Sequence, residues 1–264
     1  MTMGKTIVIT SGKGGVGKTT CAANLAGALA ILHNSVVVVD ADIGLRNLDV
    51  VLGLENRITY NLVDITSGKC RIKQAVINDE RIRNLSIIPA SQTMDKTAVT
   101  PEQMKELTAQ LEDMYDYVLI DCPAGIEHGF KNAVAGAGEA IVVTTPQVSS
   151  VRDADKILSL LEKQPLSQIS LIINRAREDM MRKGEMISIE DMLDILPVNL
   201  IGVIPEDKNI VITANMGAPV VLNASLPSSA AYFDTARRIM GENIPFDGSN
   251  RKKTFFKRLA EFYR

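Results

Sequence analysis

The densest chemistry in the chain is the run Gly12-Lys13-Gly14-Gly15-Val16-Gly17-Lys18-Thr19. Its spacing is GxxxxGK[ST]. It follows the apolar run Ile7-Val8-Ile9 and opens a helical stretch from Thr19, which is the context the pattern requires. Glycines at these positions let successive backbone N–H groups turn toward one anion at a helix N-terminus, where the peptide dipoles add to the attraction. Lys18 then neutralises the β/γ charge of a polyphosphate, and the Thr19 hydroxyl reaches the accompanying Mg²⁺. Gly12 to Thr20 are the expected phosphate-binding residues. The cradle needs only one lysine, so Lys13 is surplus to it.

Carboxylates at strand ends supply the next set. Val36 to Val39 ends in Asp40-Ala41-Asp42, and Tyr117 to Ile120 ends in Asp121. Acidic groups therefore emerge at the carboxyl edge, where α/β sheets bind ligands. Asp121, after an apolar strand, reads as the aspartate that holds a metal-bound water. Asp40 could instead be structural. Two later strand ends, Ile173-Asn174-Arg175 and Val203-Ile204-Pro205-Glu206-Asp207, are candidates for a base pocket. An Asn amide both donates and accepts, which suits the adenine edge. The chain has no TKxD-like signature for guanine, so ATP is the expected nucleotide.

The elements that must position these residues follow from periodicity. Seven short β-branched runs, Ile7 to Ile9, Val36 to Val39, Leu85 to Ile88, Tyr117 to Ile120, Ala140 to Val143, Ile169 to Ile173 and Leu200 to Ile204, are continuously apolar, as strands buried on both faces are. Helix-length segments lie between them. Thr19 to Leu32 carries small or apolar residues at Ala22, Leu25, Ala26 and Leu29, and Pro101 to Met114 starts with Thr100 as N-cap and Pro101 at N1. The alternation predicts a doubly wound, mostly parallel α/β sheet in one domain.

At 264 residues and 46% apolar the chain can bury a large core. No stretch approaches the roughly 20 apolar residues that span a bilayer, and the N-terminus lacks a signal-peptide core, so a cytoplasmic protein is expected. Cys21, Cys70 and Cys122 form no CxxC pair and read as reduced thiols. Neither His33 nor His128 has ligand neighbours at metal spacing.

The lysine pair Lys13 and Lys18 in KGGVGK resembles the deviant Walker A (MinD/ParA) ATPases. DADIGLRNLDVVLGLENR from Asp40, PASQTMDKTAV from Pro89, IDCPAGIEHGFKNAVAGAGEAIVVTTP from Ile120, SSVRDADKI from Ser149 and GVIPED from Gly202 extend the resemblance over most of the chain. They point to the division-site branch of that family. The resemblance implies that Lys13 reaches phosphates held by a second copy in a nucleotide-sandwich homodimer. Asp42 positions the attacking water and shares in holding Mg²⁺ with Thr19 and Asp121, while Asp121 to Gly125 forms a second switch. Asn174 and the loop Pro205, Glu206 and Asp207 contact adenine. Arg152, Asp153 and Asp155 border the partner surface. The implied role is ATP-dependent dimerisation, membrane attachment and recruitment of a MinC-type septum inhibitor. Hydrolysis is slow, stimulated by a MinE-type partner or organised by a polar anchor protein.

Charge is unevenly placed. Arg251 to Arg264 holds six basic residues and one acidic, +5, so a chain of net charge −2 has a body of −7. The acidic body disfavours the rival ParA-type DNA-partitioning role, and the absence of paired cysteines disfavours an iron–sulfur reductase with the same loop. On a helical wheel of about 100° per residue, Phe255, Phe256, Leu259, Phe262 and Tyr263 fall within roughly 120°, with Lys257 and Arg258 opposite. The expected organisation is an ATPase domain over 1–245, a linker over 246–252 and an amphipathic membrane-targeting helix over 253–264 lying on anionic lipid. Specific nucleic-acid binding is not expected.

Overall fold

The computed structural model describes residues 3–246. The helix expected over 253–264, with its membrane-facing residues, lies outside the described residues, as does the linker apart from Phe246. Phe246 itself is exposed, with the Arg238 guanidinium carbon 3.7 Å from its ring centroid.

Eight strands form one sheet among the described residues: β1 (Lys5–Thr10), β2 (Val36–Asp40), β3 (Ile77–Asn78), β4 (Leu85–Ile88), β5 (Tyr117–Asp121), β6 (Glu139–Thr144), β7 (Gln168–Ala176) and β8 (Asn199–Pro205). Their spatial order is β3-β4-β2-β5-β1-β6-β7-β8. Every pair is parallel except β3 with β4. All seven strands expected from the apolar runs are present. The eighth, β3, is two residues long, too short to leave a periodic signal.

Among the described residues, six helices have eight residues or more: α1 (Lys18–Ile31), α2 (Pro101–Glu112), α3 (His128–Ala135), α4 (Val148–Leu161), α5 (Lys208–Asn215) and α6 (Pro227–Ile239). Successive strand residues point to opposite faces of the sheet, so the valine-rich strands feed two cores. Ile7, Ile9, Val36 and Val38 pack with α1 and α6 on one side. Val8, Val37, Val39 and Ile120 pack with α2, α3 and α4 on the other. Helix α1 is apolar on nearly all sides because the sheet and α6 enclose it. The start of α2 is as read from the sequence: Thr100 Oγ1 accepts from Gln103 N, and Gln103 Oε1 accepts from Thr100 N at 2.9 Å, a reciprocal cap.

This topology places the chemistry. β1 lies between β5 and β6, so the chain crosses to the other side of β1 after β5, and a crevice opens at the carboxyl ends of β1 and β5. Ile9 is in register with Asp121, and Asp40 with Asp121, which brings the loop after β1 and both acidic strand ends to one edge.

Away from that edge, Arg81 ties three segments together. Its guanidinium donates to Asp79, to the carbonyl of Leu52 and to the carbonyl of Gly217. The Asp79 side chain is fully buried. Burial works to raise its pKa, but hydrogen bonds and charge from Arg81, with the Arg81 and Ile82 amides, outweigh it and hold the carboxyl below its usual value. A depressed folded pKa stabilises the protein above the unfolded value and that contribution is lost as pH falls through the folded one. Arg81→Ala leaves a buried carboxylate unpaired and is expected to destabilise by about 3 kcal/mol at pH 7. Chemical denaturation at pH 7 and pH 4 should show the gap to wild type narrowing in acid, as the stranded Asp79 takes up a proton.

Candidate functional site

The loop from Gly12 to Gly17 joins β1 to α1, with Lys13, Gly14 and Gly15 exposed and Val16 buried beneath them. Gly17 starts α1 at φ +93°, and a Cβ there would stand 2.4 Å from Asn174 Nδ2. Only glycine meets both conditions. Gly12 is excluded from carrying a side chain by other means: its Cβ would fall 2.1 Å from the carbonyl oxygen of Asp153 in α4.

The two lysines have opposite surroundings. Lys18 is buried, with Nζ 3.1 Å from Asp121 Oδ1. Burial pulls its pKa down, but the charge and hydrogen bond of Asp121, with the charge of Asp42, more than offset this, so the pKa is raised and the ammonium stays charged. Lys13 is exposed and donates to Ser149 Oγ, 3.2 Å away at the start of α4. Ser149 opens the SSVRDADKI segment, but nothing in that pattern pairs it with Lys13, 136 residues earlier.

Asp42 is buried and its pKa is raised, first by that burial and then by the charge of Asp121, against the opposing charges of Lys18 and Lys96. Asp40 has the structural role held open for it. Its Oδ1 accepts from Asp42 N at 2.9 Å and its Oδ2 from Leu48 N at 3.2 Å, so it folds the loop that carries Asp42. Burial and then the neighbouring Asp121 charge push Asp40 well above the usual carboxylate range. Burial likewise pushes the Cys21 and Cys122 thiols up to about 12, which leaves them unreactive near neutrality.

At the base-pocket end, Asn174 is buried at the end of β7, and its Nδ2 donates to Val16 O at 2.8 Å. Pro205 ends β8. Glu206 is exposed and lies 3.8 Å from Arg177 Nε. Asp207 stands in the loop after Pro205, at the start of α5. Its Oδ1 caps α5 through Asn209 N, its Oδ2 accepts from Ser228 Oγ at 2.6 Å, and these bonds, against burial, lower its pKa. Arg152 and Asp155 are exposed on α4, while Asp153 is half-buried and pairs with Lys156. The site's elements are thus gathered at one edge, except the aromatic and basic tail, which lies outside the described residues.

The arrangement fits a magnesium nucleotide. Asp42 Oδ1, Asp121 Oδ2 and Asn174 Oδ1 are buried without a hydrogen-bond partner. Leaving such atoms unmade is costly, and a ligand with donors or a cation is what would satisfy them. The exposed glycine loop at the start of α1 leaves room for an anion, since a Cβ on Gly14 would meet nothing closer than 4.0 Å.

A family model described as an AAA domain matches residues 4–173. The septum site-determining protein MinD of Synechocystis sp. is 53% identical over 245 residues, 92% of each chain. Among solved structures, the MinC:MinD cell division protein complex of Aquifex aeolicus superimposes with a TM-score of 0.86 at 45% identity, covering 92% of this chain and 98% of that one. The chain belongs to the MinD family. MinD proteins are P-loop ATPases, and the family acts in septum placement. A MinD from Pyrococcus horikoshii complexed with Mg-ADP has a TM-score of 0.82 at 33% identity, covering 90% of this chain and 96% of that one.

Two glycine variants separate the loop's folding from its chemistry. Gly17→Ala is strained by both φ and Asn174, so its melting temperature should fall and its ADP affinity should drop roughly ten-fold or more. Gly14→Ala has free space and no positive φ. It should melt like wild type yet bind ADP more weakly by calorimetry, because its methyl occupies the anion's place. Unchanged ADP affinity in Gly14→Ala would move the phosphates elsewhere.

Proposed function

We propose that this protein is an ATP-dependent dimerising ATPase, cytoplasmic and peripheral on the inner face of the cell membrane, that positions the division site by recruiting a septum inhibitor there. The observation that carries the reading is the divergence of the two loop lysines, one buried on Asp121 and one turned outward onto α4. An outward lysine on a phosphate loop serves its own nucleotide poorly and a neighbour's well.

Mg-ATP fits the loop by the orphaned oxygens and open glycines above; when bound, the metal would neutralise phosphate charge. Thr19, Asp42 and Asp121 would hold it, partly through water. Backbone amides from Gly12 to Thr20 and the Lys18 ammonium bind the phosphates, which requires Lys18 to turn from Asp121. Asp42 accepts a hydrogen bond from the attacking water and orients it. Lys13 of a second copy leaves Ser149 and stabilises the charge that develops on the transferred phosphoryl group, as an arginine finger does. With Lys13 held by α4 in the single chain, hydrolysis is slow until a second copy and a MinE-type stimulator or a polar anchor protein bring the groups together. Asn174 and the main chain after Pro205 recognise adenine.

The partner surface of Arg152, Asp153 and Asp155 is supported by its place on the same helix that meets Lys13 and Gly12. A MinC-type inhibitor is the proposed ligand there, since the Aquifex relative is a MinC:MinD complex. The membrane part rests on the tail sequence. One near-surface basic residue contributes about 1 kcal/mol and ordering the chain opposes it by about 1 kcal/mol per residue, so one tail binds marginally. A dimer presents two, and avidity raises attachment by about 10² to 10⁴. The division at residues 245 and 252 into ATPase domain, linker and membrane helix follows from this reading.

Sedimentation with phosphatidylglycerol vesicles is expected to recover the protein with ATP at least about ten-fold better than with ADP. Equal recovery with both nucleotides would sink the switch. Size exclusion should show an ATP-dependent dimer for wild type and a monomer for Lys13→Ala; a dimer that survives the substitution removes the role given to Lys13.

A further inference from the structure

Asp42, proposed above to orient the attacking water, has an Oδ1 without a hydrogen-bond partner. Its aim therefore depends on how its main chain is held. The Asp42 amide donates to Asp40 Oδ1, and the Asp42 carbonyl accepts from Leu45 N at 3.2 Å and Arg46 N at 3.1 Å. The turn that runs from Asp42 to Arg46 is thus the mount of the carboxylate.

Arg46 has a backbone that non-glycine residues rarely adopt, φ +43°. Such a conformation persists only where its surroundings enforce it. Here the enforcing contact is ionic: Arg46 Nε stands 2.9 Å from Asp49 Oδ2, with the two side chains 16% and 0% exposed. Asp49 belongs to the body rather than to the turn. It lies in the short helix Leu48–Val51, its carbonyl accepts from Leu54 N at 2.8 Å, and Leu48 beside it is buried in the same core as α1. No other described cation pairs with the Asp49 carboxylate. Burial raises the Asp49 pKa by more than the Arg46 charge and the adjacent amides lower it. The attraction offsets only part of the cost of burying the carboxylate, so the pair is a poor stabiliser of the fold.

Resting on the nucleotide reading above, we propose that Arg46 and Asp49 are positioning residues for hydrolysis: their ion pair fixes the turn that holds the Asp42 main chain, and so the point at which the water is oriented. The effect falls on the rate and not on nucleotide affinity, because Lys18 and Asn174 are held by contacts of their own.

Steady-state ATP hydrolysis by the full chain tests this, with ADP affinity by calorimetry and the ATP-dependent dimer by size exclusion measured beside it. Arg46→Ala should lower kcat about ten-fold while ADP affinity and the dimer stay as in wild type. Arg46→Lys keeps the charge and should restore much of the rate. Arg46→Ala also strands a buried carboxylate, so Arg46→Ala combined with Asp49→Asn separates folding from positioning: its melting temperature should return toward wild type while kcat stays low. Unchanged kcat in Arg46→Ala, a kcat that recovers with the melting temperature in the double variant, or loss of the dimer along with the rate overturns the assignment. Failure of the wild-type chain to hydrolyse ATP at all overturns instead the nucleotide reading on which it rests.

Discussion

The site depends on the ion pair between Lys18 and Asp121, whose side chains are 8% and 1% exposed. Removing two charges from water costs several kcal/mol per ion, and attraction across 3.1 Å repays it only when geometry and extra hydrogen bonds are good. This pair is incomplete, because Asp121 Oδ2 has no partner. Such a pair is a poor way to stabilise a fold and a good way to keep two charged groups ready. A polyphosphate that drew Lys18 away would leave Asp121 with both oxygens for a cation, and the two ligands would then favour each other by charge.

The sheet serves that pair. β1 and β5 are neighbours in register, and β2 on the other side of β5 brings Asp40 opposite Asp121. Strands buried on both faces cannot drift, because a one-residue slip would exchange the two cores. The valine runs that make the interior therefore also fix the carboxylates at the edge.

Much of this was legible in the sequence. Seven strands, the cap of α2 and the gathering of Gly12 to Thr20, Asp42, Asp121 and Asn174 follow from apolar runs, a reciprocal cap and a spaced motif, all local patterns. What was not legible depends on contacts between distant segments. Ser149 is an unremarkable serine until α4 comes to rest beside Lys13, and the side chain of Asp207 reads as free until Ser228 arrives from the start of α6. The positive φ of Arg175 was hidden for a different reason, since a bulge arises from the mismatch of two strands and neither strand shows it alone. β3 escaped because two residues carry no period.

The meeting of Gly12 with α4 has a consequence for how such a surface can diverge. The atom of Asp153 closest to the absent Cβ is the carbonyl oxygen, at 2.1 Å, and the carbonyl carbon follows at 2.4 Å. Every amino acid has that group. Exposed side chains of α4 other than Ser149 can therefore be exchanged without altering the contact between Gly12 and the helix, provided the path of the helix is kept. The surface of α4 is free to drift, while its backbone contact with Gly12 is carried by a group that substitution does not touch.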